Sequence, residues 1–226
     1  MRNLIYVPII HSNADMGSLA KELNQKGIAE FGSEFWQNHT ETINGFWEAI
    51  DHYFETIDIY IKDAKIYQDG MVADGEMAKV IIDEAVKSGS KNYEIVAELL
   101  RKGAVIIQTE NLDLVRRELR SLQNVTQAKS TFRKILKLIG YKIIKGILLK
   151  KRDKYIAARI AETLKQDETG IIFIGAYHNL LDKLPEDINV IEIKEVAKVR
   201  EYHRLIPLHN RYKERFSELA QYLVKK

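Results

Sequence analysis

The amino-acid sequence predicts an α/β protein built on a mainly parallel central sheet of about five strands flanked by helices, and three observations lead there. The run Ile171, Ile172, Phe173, Ile174 has no polar member and ends on Gly175, as expected of a strand covered on both faces. Similar short apolar runs alternate with longer stretches whose apolar residues recur three and four apart, the order of strand–helix–strand units with parallel pairing. The 226 residues, 46% hydrophobic and 30% charged, can bury a sizeable core, so residues 1–226 are read as one domain.

Leu4 to Ile10 is the first strand, with Pro8 removing a ladder donor and so marking an edge, a bulge or a turn. A polar loop follows, in which Asp15 is placed to cap a helix running from about Met16 to Leu23. A second helix from about Thr40 to Ile57 carries Ile43, Phe46, Trp47, Ile50, Tyr53, Phe54 and Ile57 as a broad apolar face. Trp36, Phe46 and Trp47 are read as core. Lys65 to Gln68 is the second strand, followed by helices near Asp74–Lys87 and Tyr93–Arg101, the latter stopped by Gly103. Ala104 to Ile107 is the third strand. A helix opening at about Lys151 and running to Lys165 leads into the strand at 171, Asn189 to Ile193 is a fifth strand, and Leu208 to Val224 is a charged amphipathic helix.

Between the third and fourth strands lies a helical insertion, about 112–165, with a composition of its own. Arg120, Lys129, Arg133, Lys134, Lys137, Lys142, Lys145, Lys150, Lys151 and Arg152 occur with no acidic residue among them, interleaved with Phe132, Ile135, Leu136, Ile139, Ile143 and Ile147 at helical spacing. Three readings are open for 120–150: a lid or hairpin packed on this domain or on a second copy in a homo-oligomer, a helix lying on a membrane surface through 128–150, or a nucleic-acid contact. The small net charge of +3 and the scarcity of aromatics between the basic residues disfavour nucleic acid.

The candidate site residues all follow strands. His178 comes three residues after the strand that ends at Gly175, and ligands of open α/β sheets bind beyond the carboxyl ends of strands. The N-terminal stretch Ile5, Tyr6, Val7, Pro8, Ile9, Ile10, His11 can be laid on Ile172, Phe173, Ile174, Gly175, Ala176, Tyr177, His178 without a gap, so His11 is the second candidate. Asp69 and Glu110 follow the second and third strands. Plainer readings stand beside these: loop histidines with no task, an Asp-Gly turn at Asp69–Gly70, and a first-turn acid at Glu110. Arg152, at the start of the helix opening near Lys151, gains nothing from the helix dipole there, which hints at a task.

The absence of cysteine excludes disulfides, thiolate metal sites and a cysteine nucleophile. The first residues lack a signal-peptide core and no run reaches transmembrane length, so a cytoplasmic protein is expected. There is no Gly-x-Ser-x-Gly elbow, no Gly-x-x-x-x-Gly-Lys loop and no Gly-x-Gly-x-x-Gly after a strand.

Gly175-Ala176-Tyr177-His178, together with Pro8-Ile9-Ile10-His11 and the pair Arg152-Asp153 opening an Ala-rich helix, resembles the TraB and Tiki families, with erythromycin esterase and the ChaN haem-binding proteins as more distant relatives. These families have an α/β core and strand-end Gly-x-x-His motifs. Proline replaces the first glycine here, and the family glutamate after the second strand is absent, Gln68 and Asp69 standing in its place. The resemblance covers the core strands and not 120–150. It implies metal-dependent proteolysis in the Tiki branch, water activation by histidine in erythromycin esterase, and haem binding in ChaN.

The leading functional expectation is a hydrolase acting on a small-molecule or peptide substrate. His11 or His178 activates water, Asp69 or Glu110 orients a ring, and Arg152 holds an anionic group or an oxyanion. A divalent metal on His11 and His178 would need Asp69 or Glu110 as a third ligand, and no metal motif is present; haem is the weaker alternative. The other expectation is a ligand-binding or regulatory protein of the same fold that docks through its basic helical region.

Overall fold

The computed structural model describes residues 1–12, 14–15, 20–57, 60–117, 120 and 131–226, with the side chains of 131–144 outside the description. Five strands form one sheet, all in parallel: β1 (Arg2–Ile9), β2 (Lys65–Gln68), β3 (Val105–Ile107), β4 (Thr169–Gly175) and β5 (Ile188–Glu192), in the order β3-β2-β4-β1-β5. The helices are α1 (Ala20–Phe31), α2 (Ser33–Thr56), α3 (Gly75–Lys87), α4 (Lys91–Arg101), α5 (Thr131–Thr163), α6 (Val196–Leu205) and α7 (Lys213–Val224).

Strand alternation divides the apolar residues between two layers. Ile5, Val7, Ile9, Ile66, Ile171 and Phe173 bury on one face against α2, α3, α4, α6 and α7. Leu4, Tyr6, Tyr67, Ile172 and Ile174 bury on the other, against Ile156 and Ile160 of α5, Leu164, and Leu180 and Leu184 of the following turn. Connections that move the chain from β1 to β2 to β3 use the first face, and those that return it to β4 and then β5 use the second. Reversing face with direction is what a single crossover hand demands. It also means that the chain leaves β4 on the opposite face from its neighbours β1 and β2, so their carboxyl ends part and a crevice opens above β4.

Pro8 falls where β1 loses a neighbour. Tyr6 accepts from Ile193 on the β5 side, Pro8 faces the same way two residues on, and β5 ends at Glu192, opposite Tyr6. The missing N–H therefore leaves no ladder bond unmade.

The long helix departs from the sequence expectation. It does not open at Lys151: α5 is continuous from Thr131 to Thr163, because no proline and only the isolated glycines Gly140 and Gly146 interrupt it. Its second half is the crossover from β3 to β4 rather than an insertion. The expected cap of Asp15 on a helix at Met16 concerns residues 16–19, which lie outside the described residues. The Asp15 carboxylate instead accepts from the Ser12 backbone N–H and hydroxyl and from the Ser90 hydroxyl. The readings of 128–150 as lid, dimer contact or membrane helix fall mostly on side chains outside the description. Of the rest, Leu148 is buried and Ile147 is 51% exposed. Among the described residues no helix is long and apolar enough to cross a membrane.

Candidate functional site

Parallel pairing brings four strand ends to one edge, and each delivers a candidate residue: His11 after β1, Asp69 after β2, Glu110 after β3 and His178 after β4. Glu110 is pinned there because the Thr109 and Glu110 backbone N–H groups both donate to the Met71 carbonyl, at 3.0 and 2.9 Å. The α5 helix runs antiparallel to the strands. Its buried stripe of Ile156, Ile160 and Leu164 over the sheet therefore continues, one turn earlier, as Asp153 and Arg152 beyond the sheet edge. The change from apolar to ionic follows the end of the hydrophobic floor.

Arg152 sits in the interior of a helix, so the dipole argument that singled it out does not hold. Its side chain is nonetheless the hub of the edge. Arg152 Nε donates to both Glu110 oxygens at 3.0 and 3.1 Å, while Nη2 donates to Glu110 Oε1 at 2.6 Å and to Asp69 Oδ1 at 2.9 Å. Glu110 is fully buried. Burial raises its pKa above the usual carboxylate range, against the opposing pull of Arg152. The other Asp69 oxygen accepts the Gly175 N–H at 3.1 Å and lies 3.5 Å from His178 Nε2. Gly175 permits this close approach: a Cβ there would stand 3.2 Å from Asp69 Oδ2, tight enough to displace it slightly, and 3.6 Å from His178 Cδ2.

His178 is buried, 6% exposed, and its Nδ1 lies 2.6 Å from Asp153 Oδ1. The second Asp153 oxygen accepts from the Asn179 N–H at 3.1 Å. Burial pushes the Asp153 pKa up, but the hydrogen bonds from His178 and Asn179 and the nearby charges outweigh it and hold Asp153 below the ordinary range. An ionised Asp153 this close fixes the proton on Nδ1 and turns Nε2, the atom free to exchange a proton, toward Asp69. Arg200 of α6 steadies the loop by donating to the Ala176 carbonyl at 3.0 Å.

His11, His178, Asp69 and Arg152 line one cavity of about 660 Å³, with Lys145, Gly146 and Leu149 of α5 on another side. The two histidines are not equivalents. The sequence echo lays His11 on His178, but the sheet pairs Ile5 with Ile171 and Ile9 with Gly175, one residue out of that alignment. A one-residue shift exchanges the faces of a strand, so the two motifs are not equivalent in the sheet, and His11, beyond the end of β1, is exposed. Among the described residues no three His, Asp or Glu side chains stand together as ligands of a metal ion. Glu110, one of the acids a metal site would call on, is engaged by Arg152.

Asp153 is the residue that sequence reasoning passed over, marked only as the neighbour of Arg152 in the Arg-Asp pair. The signal that could have found it is spacing: Asp153 precedes Ile156 and Ile160 by three and seven positions, on the stripe a helix buries. His203 of α6 also lines the cavity. Comparison of the chain with family models, curated proteins and solved structures returns no match.

Proposed function

We propose that this chain is a hydrolase of the kind its resemblance to the TraB, Tiki and erythromycin esterase group implies, with His178 as the general base. The observation that supports this most is the 2.6 Å contact between His178 Nδ1 and a buried Asp153, which leaves Nε2 as the proton-accepting atom beside the cavity. Nε2 takes a proton from a bound water as the water oxygen attacks a carbonyl carbon. The bond to the leaving group then breaks, and Nε2 returns the proton to it. Asp69, 3.5 Å from Nε2, favours the imidazolium formed between these steps. Arg152 is directed at Asp69 and Glu110 rather than at a substrate, so its role is to position Asp69, and His11 contacts the ligand from the rim. The proposal keeps the expected cytoplasmic location.

The test is turnover of ester, amide and phosphate substrates by the purified protein and by His178→Ala. Hydrolysis is expected to fall by roughly 10²–10⁴ in the variant, the usual share of a general base. Equal rates in the two proteins would sink the reading. A second reading, a ligand-binding or regulatory protein, is favoured by one observation: the cation meant for an oxyanion is engaged by two carboxylates. In that reading the lysine-rich start of α5 docks on an anionic membrane or on a second copy.

A further inference from the structure

A second cavity adjoins the first. It has a volume of about 350 Å³ and is lined by Leu23, Trp36, His39 and Ile43, together with the polar Ser12, Thr40 and Asn44, the cationic Lys91, and His11. His11 lines both cavities. The walls of the smaller one are fixed. The Trp36 indole lies so close to α1 that a Cβ on Gly27 would come within 2.4 Å of its ring, and its Nε1 donates to Asn24 at 2.6 Å. His39 Nδ1 is held 2.8 Å from the Tyr202 hydroxyl. Burial lowers the His39 pKa to about 4, which keeps that wall uncharged at neutral pH. Leu23 and Ile43 add aliphatic surface, and Lys91 brings a charged group to the lining.

We infer that this second cavity is the binding site for an apolar acyl group of the substrate, so that the enzyme acts on esters or amides of medium-chain or aromatic carboxylic acids. The inference rests on the hydrolase reading for the reaction, but the binding claim can be tested without it. The geometry behind it is the shared residue His11: a ligand whose carbonyl lies over His178 would pass its acyl chain by that side chain toward the apolar wall of Leu23, Trp36 and Ile43. Size sets the class. A cavity of about 150 Å³ takes a benzene ring, so this one takes roughly two rings or a chain of comparable bulk. The reaction is ordinary hydrolysis, in which water adds to the carbonyl, the acyl–oxygen bond breaks, and acid and alcohol leave.

The test uses 4-nitrophenyl acetate and 4-nitrophenyl hexanoate with the full chain. The hexanoate is expected to show a kcat/KM at least tenfold above that of the acetate. Ile43→Phe, which fills the cavity, should lower this preference at least fivefold. Asn44→Phe enters the same cavity from an exposed helix position and should do so even if the first variant folds poorly. Binding is read separately, by quenching of Trp36 fluorescence with the hexanoate in His178→Ala, against the constant background of fully buried Trp47. Saturable quenching that Asn44→Phe weakens at least fivefold supports the site. Such quenching with no turnover in the wild type would end the hydrolase reading and leave the binding site standing. Turnover with no chain-length preference and no saturable quenching would overturn the inference and leave the hydrolase.

Discussion

His178 and His11 follow adjacent parallel strands and line one cavity, and the difference between them shows what makes a loop histidine a chemical group. His178 is buried, bound through Nδ1 to an ionised carboxylate, and faced across Nε2 by a second one. His11 is exposed, and among the described residues no hydrogen bond holds its ring. The strands supply both histidines at the same edge, but only α5, crossing back over β4, supplies a partner. Asp153 meets His178 because the register of β4 carries the turn at 175–178 under the helix. The register of β1 sets its motif one residue out of step with that of β4.

The sharpest way to break this comparison is to delete each ring. His178→Ala should lower kcat/KM by roughly 10²–10⁴, the usual share of a general base, whereas His11→Ala should cost about tenfold or less, mainly in KM. Asp153→Asn should approach the loss of His178→Ala, since the amide neither fixes the Nδ1 proton nor favours the imidazolium. Comparable losses on deleting His11 and His178 would mean that the two are partners after all.

A second test addresses the carboxylate that faces Nε2. Arg152→Met leaves the fully buried Glu110 without its cation and Asp69 unheld, a loss on the order of 3 kcal/mol in urea unfolding at neutral pH. The sign of the pH dependence checks the cause. The Glu110 pKa is already raised by burial, and removing Arg152 raises it further. A carboxyl with a raised folded-state pKa is most favourable when protonated, so the variant should recover stability as pH falls through the carboxylate range. Glu110→Gln in the Arg152→Met background should recover much of the loss at neutral pH. Flat stability between pH 7 and 5 in the single variant would show that Glu110 is not what Arg152 holds.

The fold was legible because apolar runs and helical spacing report burial directly. Ile171 to Ile174 has no polar member because β4 lies between two strands and two helical layers. The strand-end positions of Asp69, Glu110, His11 and His178 followed from the same reading. What the sequence could not show is which of them meet. That depends on the one-residue register between β1 and β4 and on α5 running unbroken through residue 151, and neither leaves a local mark. Arg152 was found for a reason that did not hold, and Asp153 was passed over because a carboxylate beside an arginine reads as a solvated charge until the helix face is known.

Acid should expose a third effect, at histidines outside the dyad. Burial lowers the pKa of both His39 and His203 to about 4, with His11 contributing to the shift of His203. Both are neutral when folded and charge on unfolding, so the unfolded chain binds more protons between pH 6.5 and 4. Stability should fall across that window by a few kcal/mol, on the order of 1 to 3 per histidine. Asp153 works in a lower window. Its depressed pKa favours the fold above the ordinary carboxylate range, and that contribution is lost only as pH falls through the folded value. The dyad should therefore stay paired at pH 5 while the fold weakens elsewhere. His11→Ala should lift the His203 pKa slightly, which NMR titration of the ring would read.

The smallest expected change in stability comes with a specific loss of function, at the residue where the two strand ends differ in the shared motif. Gly175 stands where the N-terminal copy has Pro8, and its φ is not in the left-handed region, so alanine is conformationally allowed there. Replacing a strand glycine by alanine favours the fold by about 0.5–1 kcal/mol through the unfolded chain, roughly offsetting the crowding. The new Cβ would stand 3.2 Å from Asp69 Oδ2, tight enough to push that carboxylate by a few tenths of an ångström away from the Gly175 N–H and His178. Displacements of about 1 Å at a reacting group cost around 10²-fold, so Gly175→Ala should lower kcat by about tenfold while the urea midpoint stays where it was. An activity loss matched by an equal loss of stability would make Gly175 a packing residue, and unchanged activity would show that Asp69 does not need to sit so close to His178.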